Sequence, residues 1–446
     1  DLLGVDEAAG IPPFYLKTFL KRFPKVIYAT TTAGYEGTGR AFSVRFLHSI
    51  KNQKEYQTQQ LELFEPIRYS KHDPVEQWLY RVLLLDAKPS KLTKEEINQF
   101  TISHPLSLRE FTAEELFQQK NETLLRELMG IFVLAHYRNQ PNDLALMADN
   151  PHYRIFGVMG EKGKIIAAIQ IATEGKLNDH QKKQIDHGKD LDGHLIPVAG
   201  IKYLNLEFAS LFGLRIIRIA VHPKLFRKGI GSLAIQTLEK QTHNEGIDWI
   251  GAAFGASKSL VNFWNSSNYS AINIRPSKLS STGEHSLIVT KGISEEAKLT
   301  IEIGSRDFLL RFIDWLGVTL YDMEPDLALS IIEACPPNRE FVPRITTTGV
   351  MRLQRYIWKQ FYLLMVVDVV KELAWWYFTY KPQDVQLSES QKLLLLSLGV
   401  QGRNWGQTIS HIHLPWEDVQ GLLRNAVKKL LRTFLQTKDE GANSVP

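Results

Sequence analysis

Residues 214–239, LRIIRIAVHPKLFRKGIGSLAIQTLE, constrain this chain more than any other stretch. Ile216, Ile217, Ile219 and Val221 are β-branched and apolar, the composition of a buried strand. His222-Pro223 ends that strand, because proline cannot donate to a ladder. FRKGIG follows as a glycine-containing turn, and Ser232 to Leu238 repeats with helical period. Strand, glycine turn and helix together make a pyrophosphate site. The first N–H groups of a helix lack internal partners, and the helix dipole favours an anion there. Gly229 and Gly231 let backbone approach phosphate without a Cβ between them, and Arg227 and Lys228 add positive charge. An ordinary strand–turn–helix is the plain alternative.

The spacing is neither a Walker A loop, since no GKS or GKT follows, nor GxGxxG. It resembles motif A of the GNAT acetyltransferases, whose loop Q/R-x-x-G-x-G/A holds the pyrophosphate of acetyl-CoA. Phe226 stands at the first place of that pattern, a departure that removes a side-chain donor and leaves the backbone cradle untouched.

A length of 446 residues allows about three domains of ~150 residues each. The single cysteine, Cys335, excludes an intramolecular disulfide and a cysteine-based zinc cluster, and suits a reducing compartment. No metal site is expected. No signal-peptide pattern is present, and the most apolar run, 361–378, contains Asp368, Lys371 and Glu372, so no membrane span is expected. The expected location is the cytoplasm. The formal charge of +5 is uneven: from Arg339 onward there are fourteen Lys/Arg against nine Asp/Glu. The chain starts at Asp1 inside an apparent strand, so it reads as one piece of a longer protein.

Leu2 to Val5 reads as a buried strand ending in Asp6 and Glu7. This is the layout of a Walker B motif, in which one acid holds Mg²⁺ and the next positions the attacking water; acids at strand ends are also common without that role. A second strand, 26–30, leads into TTTAGYEGTGRAF, a glycine-rich loop ending in Arg40. Further on, Arg68 lies in a turn before a helix over 75–85. Either arginine could reach a γ-phosphate or simply face solvent. No GxxxxGK[ST] occurs here, so ATP with Mg²⁺ is expected only if a missing upstream part supplies the phosphate cradle.

Several motifs occur in one order: DEAAGIPP, TTTAGYEGTGRAF, EPIRYSKHDPVEQWL, LAHYRNQPNDLALMADNP, GHLIP, RIIRIAVHP and FGASKSLVNFWNSSNY. Together they resemble the tRNA(Met) cytidine acetyltransferases and their larger RNA cytidine acetyltransferase relatives, over about 1–295 and more loosely beyond. The resemblance implies an α/β chain in three parts: the C-terminal part of a RecD-like P-loop helicase module over 1–115, a GNAT acetyltransferase domain over 116–295, and a mainly helical tail over 296–446. It implies acetyl-CoA and ATP as cofactors, tRNA as partner, and N(4)-acetylcytidine as product, in the bacterial enzymes at the wobble position of elongator tRNA(Met). The missing N-terminal half of the helicase module is a further implied partner. Carried over by position, acetyl-CoA contacts fall on Ile219, Ala220, Val221, Phe226, Arg227, Lys228, Gly229, Ile230, Gly231 and Ser232, with Ser266 on a later helix. ATP contacts fall on Asp6, Glu7, Arg40 and Arg68. At Ser259 and Ser266 the family carries a glutamate and an arginine, so an ionic contact to the CoA end is absent or supplied elsewhere.

Within the GNAT part, 114–136 reads as an amphipathic helix, 153–159 and 165–173 as strands, and 176–192 as a charged, exposed insertion. A helix is expected from about 198 to 212. After motif A come a strand at 249–254, a helix at 258–265, and closing strands at 269–274 and 286–293, which fits a mixed, mainly antiparallel sheet. Backbone N–H groups near Val221 can polarise a thioester carbonyl. The cytosine amine is a poor nucleophile, so positioning matters most. Candidate bases are His136, Glu207, His222 and His194, although for any single one a structural role is the favoured reading. Trp264 stands where many GNAT enzymes place a thiolate-protonating tyrosine, a role tryptophan cannot fill.

In the tail, Arg352, Arg355 and Lys359 recur at i, i+3, i+7 among Tyr356, Trp358, Phe361 and Tyr362. Cations interleaved with aromatics suit RNA phosphates and bases; a solvated helix face is the alternative. Residues 393–434 read as helix, turn, helix. Two rival functions remain: a GNAT enzyme acting on protein or small-molecule amines, and a degenerate RNA-binding scaffold.

Overall fold

A computed structural model of the chain describes residues 1–31, 50, 56–99, 107–135, 141–160, 163–280, 282–412 and 416–443. They form two compact units. The first comprises 1–201, 206–255 and 277–286; the second comprises 202–205, 256–276 and 287–446.

The first unit begins with two short parallel strands, β1 (Leu2–Val5) and β2 (Lys25–Tyr28), joined through the helix Pro13–Arg22. The expected burial of β1 holds only at Val5, since Leu2 is 63% exposed, and on β2 Ile27, the partner of Gly4, is 57% exposed. A small core of Val5, Ala8, Ala9 and Leu16 sits under the strand ends.

The main sheet of this unit runs β3 (Ser107–Phe111), β4 (Tyr153–Met159), β5 (Ile165–Gly175), β6 (Phe212–Val221) and β7 (Trp249–Gly255) in that spatial order. The junctions are antiparallel except β6–β7, which is parallel. This is the mixed sheet expected from sequence. The helix Glu122–Ala135 packs Leu125, Leu128, Met129 and Phe132 against Ile155, Ala168 and Ala220 of the sheet.

Three expected elements are corrected. The helix expected over 114–136 is two pieces, because Thr112 caps a single turn, Ala113–Leu116, before Glu122–Ala135 starts. The 176–192 stretch is not simply an exposed insertion. It holds the helix Asp179–Asp186, begun by an Asn178/Gln181 capping box, and buries Leu177 and Ile185 against Ala209. The next helix starts early, at Leu195–Tyr203, because the buried Glu174 carboxylate accepts the Ile196 N–H at 2.9 Å.

The second unit contains the helix Lys258–Ser266, most of the neighbouring strands β8 (Ser270–Lys278) and β9 (His285–Gly292), whose joined ends belong to the first unit, and a helical remainder. Its long helix Glu295–Gly317 buries Phe308 and Phe312, stacked at 5.5 Å, and Ser305 Oγ donates to Ala271 O at 2.6 Å. Trp376 packs against Tyr380 and Phe434, both with ring centroids at 5.5 Å. The helix–turn–helix expected over 393–434 is interrupted by a π-helical segment, Leu395–Val400, where Gly399 lies against Ala374. No described helix is long and apolar enough to cross a membrane.

Candidate active site

Strand β6 supplies the site because its two edges behave differently. Toward β5 it pairs along its whole length, from Gly175↔Phe212 to Ala167↔Val221. Toward β7 it pairs only from Gly213↔Trp249 to Ile216↔Ala252. The register shift against Gln170/Ile171 leaves Ile217 as the extra residue on β6. A bulge of this kind bends its strand, and β6 and β7 part just beyond it. His222 N donates to Ile166 O at 2.8 Å, on the β5 side. Because strand backbone groups alternate sides, the N–H groups of Val221 and Ile219 point into the opening. No pairing with β7 occupies them. The half-buried Ile217, Ile219 and Val221 side chains give that opening apolar walls.

The loop after β6 ends at an uncapped helix. A turn, Pro223–Leu225, is followed by Arg227 (φ 61°) and Gly229 (φ 75°), both left-handed. Turns of this kind build concavities where successive N–H groups converge on an anion. Gly229 is the N-cap of Ile230–Gln241 and offers no side-chain cap. The N–H groups of Ile230, Gly231 and Ser232 therefore have no partner among the described residues. An unpaired strand edge that leads to an uncapped helix start fits an extended, amide-bearing ligand ending in phosphates.

Three family models match the chain in succession. RNA cytidine acetyltransferase NAT10/TcmA, helicase domain, covers 1–86; GNAT acetyltransferase 2 covers 127–246 and 239–294; a possible tRNA binding domain covers 304–444. The tRNA(Met) cytidine acetyltransferase TmcA of Thermofilum pendens is 37% identical over 441 residues, covering 99% of this chain and 55% of that protein. Its counterpart in Methanopyrus kandleri is 35% identical over 443 residues, covering 97% and 51%. Nearly the whole chain is thus similar to RNA cytidine acetyltransferases. It spans about half the length of the curated relatives it matches. The fold expectation thus stands: a mixed α/β chain with a helicase-family region, a GNAT domain and a helical C-terminal region.

The residues that the family resemblance groups together fall in both units, and each is described within its own. Lys228 Nζ donates to Ile97 O at 2.6 Å, so its charge is directed away from any phosphate. Phe226 is 52% exposed. Ser266, described in the second unit, has its hydroxyl bonded to Phe263 O at 2.8 Å.

Of the candidate bases, three have partners within the fold. His222 is buried with both ring nitrogens engaged: Nε2 on Ser90 O at 2.8 Å, and Nδ1 accepting from Lys224 N at 3.2 Å. Burial lowers its pKa, which fits a neutral structural imidazole. Glu207 precedes the start of β6, at the end opposite Val221, and its exposed carboxylate pairs with Lys182 at 3.2 Å. His194 sits at that same far end, accepting from Gly175 N at 3.2 Å. His136 lies outside the described residues.

In the helicase-family region, Asp6 and Glu7 stand exposed at the C-terminal end of β1, Glu7 in a left-handed conformation (φ 48°). The C-terminal ends of parallel strands are where open α/β sheets bind ligands. Arg68 is exposed, and Arg40 lies outside the described residues.

In the second unit, the helix carrying the basic residues ends at Ile357, and Lys359 is left-handed (φ 63°). Lys359 therefore leaves the helical face that i, i+7 spacing implied. Arg352 is held by Asp368, at 2.7 and 2.8 Å, and by Met365 O. Arg355 lies over the Phe361 ring at 5.6 Å. Trp358 and Tyr362 are 65% and 77% exposed.

Sequence reasoning missed Arg218 of β6. It is buried, paired with Asp143 at 2.7 Å, and its Nε and Nη1 have no hydrogen-bond partner among the described residues. A charged residue inside a strand of mostly apolar residues is the available signal, one that Arg215 of the same strand also gives.

Proposed function

We propose that this chain is the acetyl-transferring part of an enzyme that makes N(4)-acetylcytidine in RNA, at the wobble position of elongator tRNA(Met). The parting of β6 from β7 beyond Ile216, running into the uncapped start of Ile230–Gln241, carries this reading. The residues fit acetyl-CoA, which supplies a thioester-activated acetyl group. The N–H groups of Ile219 and Val221 offer the pairing an added strand needs, and Ala220 between them keeps that edge in place. Those of Ile230, Gly231 and Ser232 take the pyrophosphate, with Gly229 and the Phe226–Lys228 turn shaping the cradle and Ser266 a further contact.

In the reaction the cytosine N4 bonds to the acetyl carbon, the carbon–sulfur bond breaks, and N4 loses a proton while the CoA sulfur gains one. Donors near Val221 favour the oxygen on which charge develops, each worth about a hundredfold in rate. With the other candidates engaged elsewhere, His136 is the proposed proton acceptor. The parts are 1–115 for the helicase-like module, 116–295 for acetyl transfer and 296–446 for tRNA. Asp6, Glu7, Arg40 and Arg68 serve Mg-ATP once a Walker A part is joined to them. Arg352, Arg355 and Lys359 lie on the RNA side, and the location is cytoplasmic.

The test joins the chain to its upstream half and supplies acetyl-CoA, ATP and total tRNA. Nucleoside mass spectrometry is expected to detect N(4)-acetylcytidine, lost in Gly229→Glu with the circular dichroism spectrum retained. Acetylated lysine peptide with unmodified tRNA would overturn the RNA reading.

A further inference from the structure

The stretch 90–97, between the helicase-family region and β3, is tied to the motif A loop in an unusual way. Four of its carbonyls accept from four basic side chains. Ser90 O faces His222 Nε2 at 2.8 Å, and Lys91 O accepts from Lys164 Nζ at 2.8 Å. Leu92 O accepts from Lys224 Nζ at 3.4 Å, and Ile97 O from Lys228 Nζ at 2.6 Å. Three of the four donors belong to the eight residues that join β6 to the uncapped helix. Exposed lysines ordinarily stay hydrated, and a hydrogen bond from a charged group is stronger than one between neutral groups. Several on one short segment fix it to the loop.

The segment is itself anchored. Glu96 has only 6% of its side chain exposed, yet it is a carboxylate. Its two oxygens accept from Lys164 Nζ at 2.8 and 2.9 Å, and Thr93 N donates to it at 2.7 Å. Thr93 Oγ1 in return accepts Glu96 N at 3.2 Å, so the pair also starts the helix Lys94–Gln99. Upstream, Gly130 of the helix Glu122–Ala135 lies so close to the Lys88–Pro89 backbone that a Cβ would overlap it. The stretch is thus held from behind by a core helix and in front by the loop.

We propose that 90–97 is a strap that positions the pyrophosphate loop, with Glu96 as its positioning residue, so that acetyl-CoA affinity depends on a segment continuous with the helicase-like region. This rests on the acetyl-CoA reading of the loop. Lys228, which the sequence offers to phosphate, holds the strap instead, and the phosphates are left to backbone N–H groups and Arg227.

The experiment compares the chain with Glu96→Gln and with Gly200→Ala. The latter is a destabilised control, in which the added methyl meets the Phe208 ring far from the loop. Acetyl-CoA binding is followed by calorimetry, and amide hydrogen exchange is read over 222–229. Glu96→Gln is expected to weaken acetyl-CoA by about tenfold, equivalent to one charge-assisted hydrogen bond, and to speed exchange over 222–229. Gly200→Ala is expected to lower Tm and change neither. Unchanged affinity and unchanged exchange in Glu96→Gln would overturn the strap. If the wild-type chain binds no acetyl-CoA, the acetyl-CoA reading fails and exchange alone decides the strap. Should Glu96→Gln not fold, Thr93→Ala, which removes only the reciprocal cap, replaces it with the same expectations at smaller size.

Discussion

Nε2 of His222 lies 2.8 Å from the carbonyl oxygen of Ser90, 132 positions earlier in the chain. A nitrogen facing a carbonyl carries the proton, so Nδ1 is the acceptor for Lys224 N. Desolvation lowers the imidazole pKa from its ordinary 6.5, with Lys224 adding to the shift and the Ser90 bond opposing it. The sign follows. Above the unfolded value of about 6.5 both states are neutral and the contribution is complete. As pH falls below that value, the unfolded chain takes a proton that the native ring resists, and stability declines toward the lower native pKa. Scanning calorimetry between about pH 7.5 and 5.5 is expected to show a steeper loss of Tm in wild type than in His222→Gln. His194, lowered in the same direction, acts equally in both proteins. Parallel slopes would mean that His222 does not titrate in this way.

Gly130 tests the packing behind that contact. The obstacle to a Cβ is backbone, the Lys88 carbonyl and Pro89 nitrogen, which cannot swing aside like the end of a long side chain. Gly130→Ala improves helix propensity by up to ~1 kcal/mol yet is expected to destabilise by about 1–3 kcal/mol through overpacking. Denaturant melts give the number. A stabilised variant would show that 88–89 moves away freely.

How far the sequence discloses this molecule depends on what each residue type signals. The β-branched run to Val221 and the glycines at 229 and 231 locate strand, turn and helix because local preference and tertiary role agree there. Strand β4 falls on its expected bounds for the same reason. The bulge at Ile217 is hidden, since two adjacent isoleucines inside an apolar run look alike whether paired or extra. The strap is hidden as well. Lys228 reads as a phosphate ligand, and nothing local reveals that a carbonyl 131 positions away takes it. Glu207 is near β6 in sequence but at the wrong end of a ten-residue strand.

In the tail, the three basic residues part company. Arg352 is engaged with Asp368 and Met365, whereas Arg355 and Lys359 stand beside the exposed Trp358 and Tyr362. Each phosphate contact removed lowers the slope of log K against log salt by about 0.7–0.9. Fluorescence anisotropy with tRNA across a salt series is expected to show that reduction for Arg355→Ala and for Lys359→Ala. Arg352→Ala is expected to keep the slope and lower Tm. Equal slopes for all three variants would remove this face from the RNA interface.

The proton acceptor gives the last prediction. With His222 bonded at both nitrogens, and Glu207 and His194 at the far end of β6, His136 is the remaining candidate from sequence. General-base assistance contributes typically 10²–10⁴-fold. Since acetyl-CoA is held by the β6 edge and the helix start, His136→Ala should lower kcat by about that factor and leave acetyl-CoA affinity unchanged. Single-turnover acetylation beside equilibrium binding separates the two quantities. A variant that loses affinity and keeps its rate would place His136 in cofactor binding instead. One unchanged in both would mean that no side chain accepts the proton, with water taking it and orientation accounting for the rate. That outcome is chemically reasonable, because a neutral amine sheds its proton only as the new carbon–nitrogen bond forms and makes it acidic.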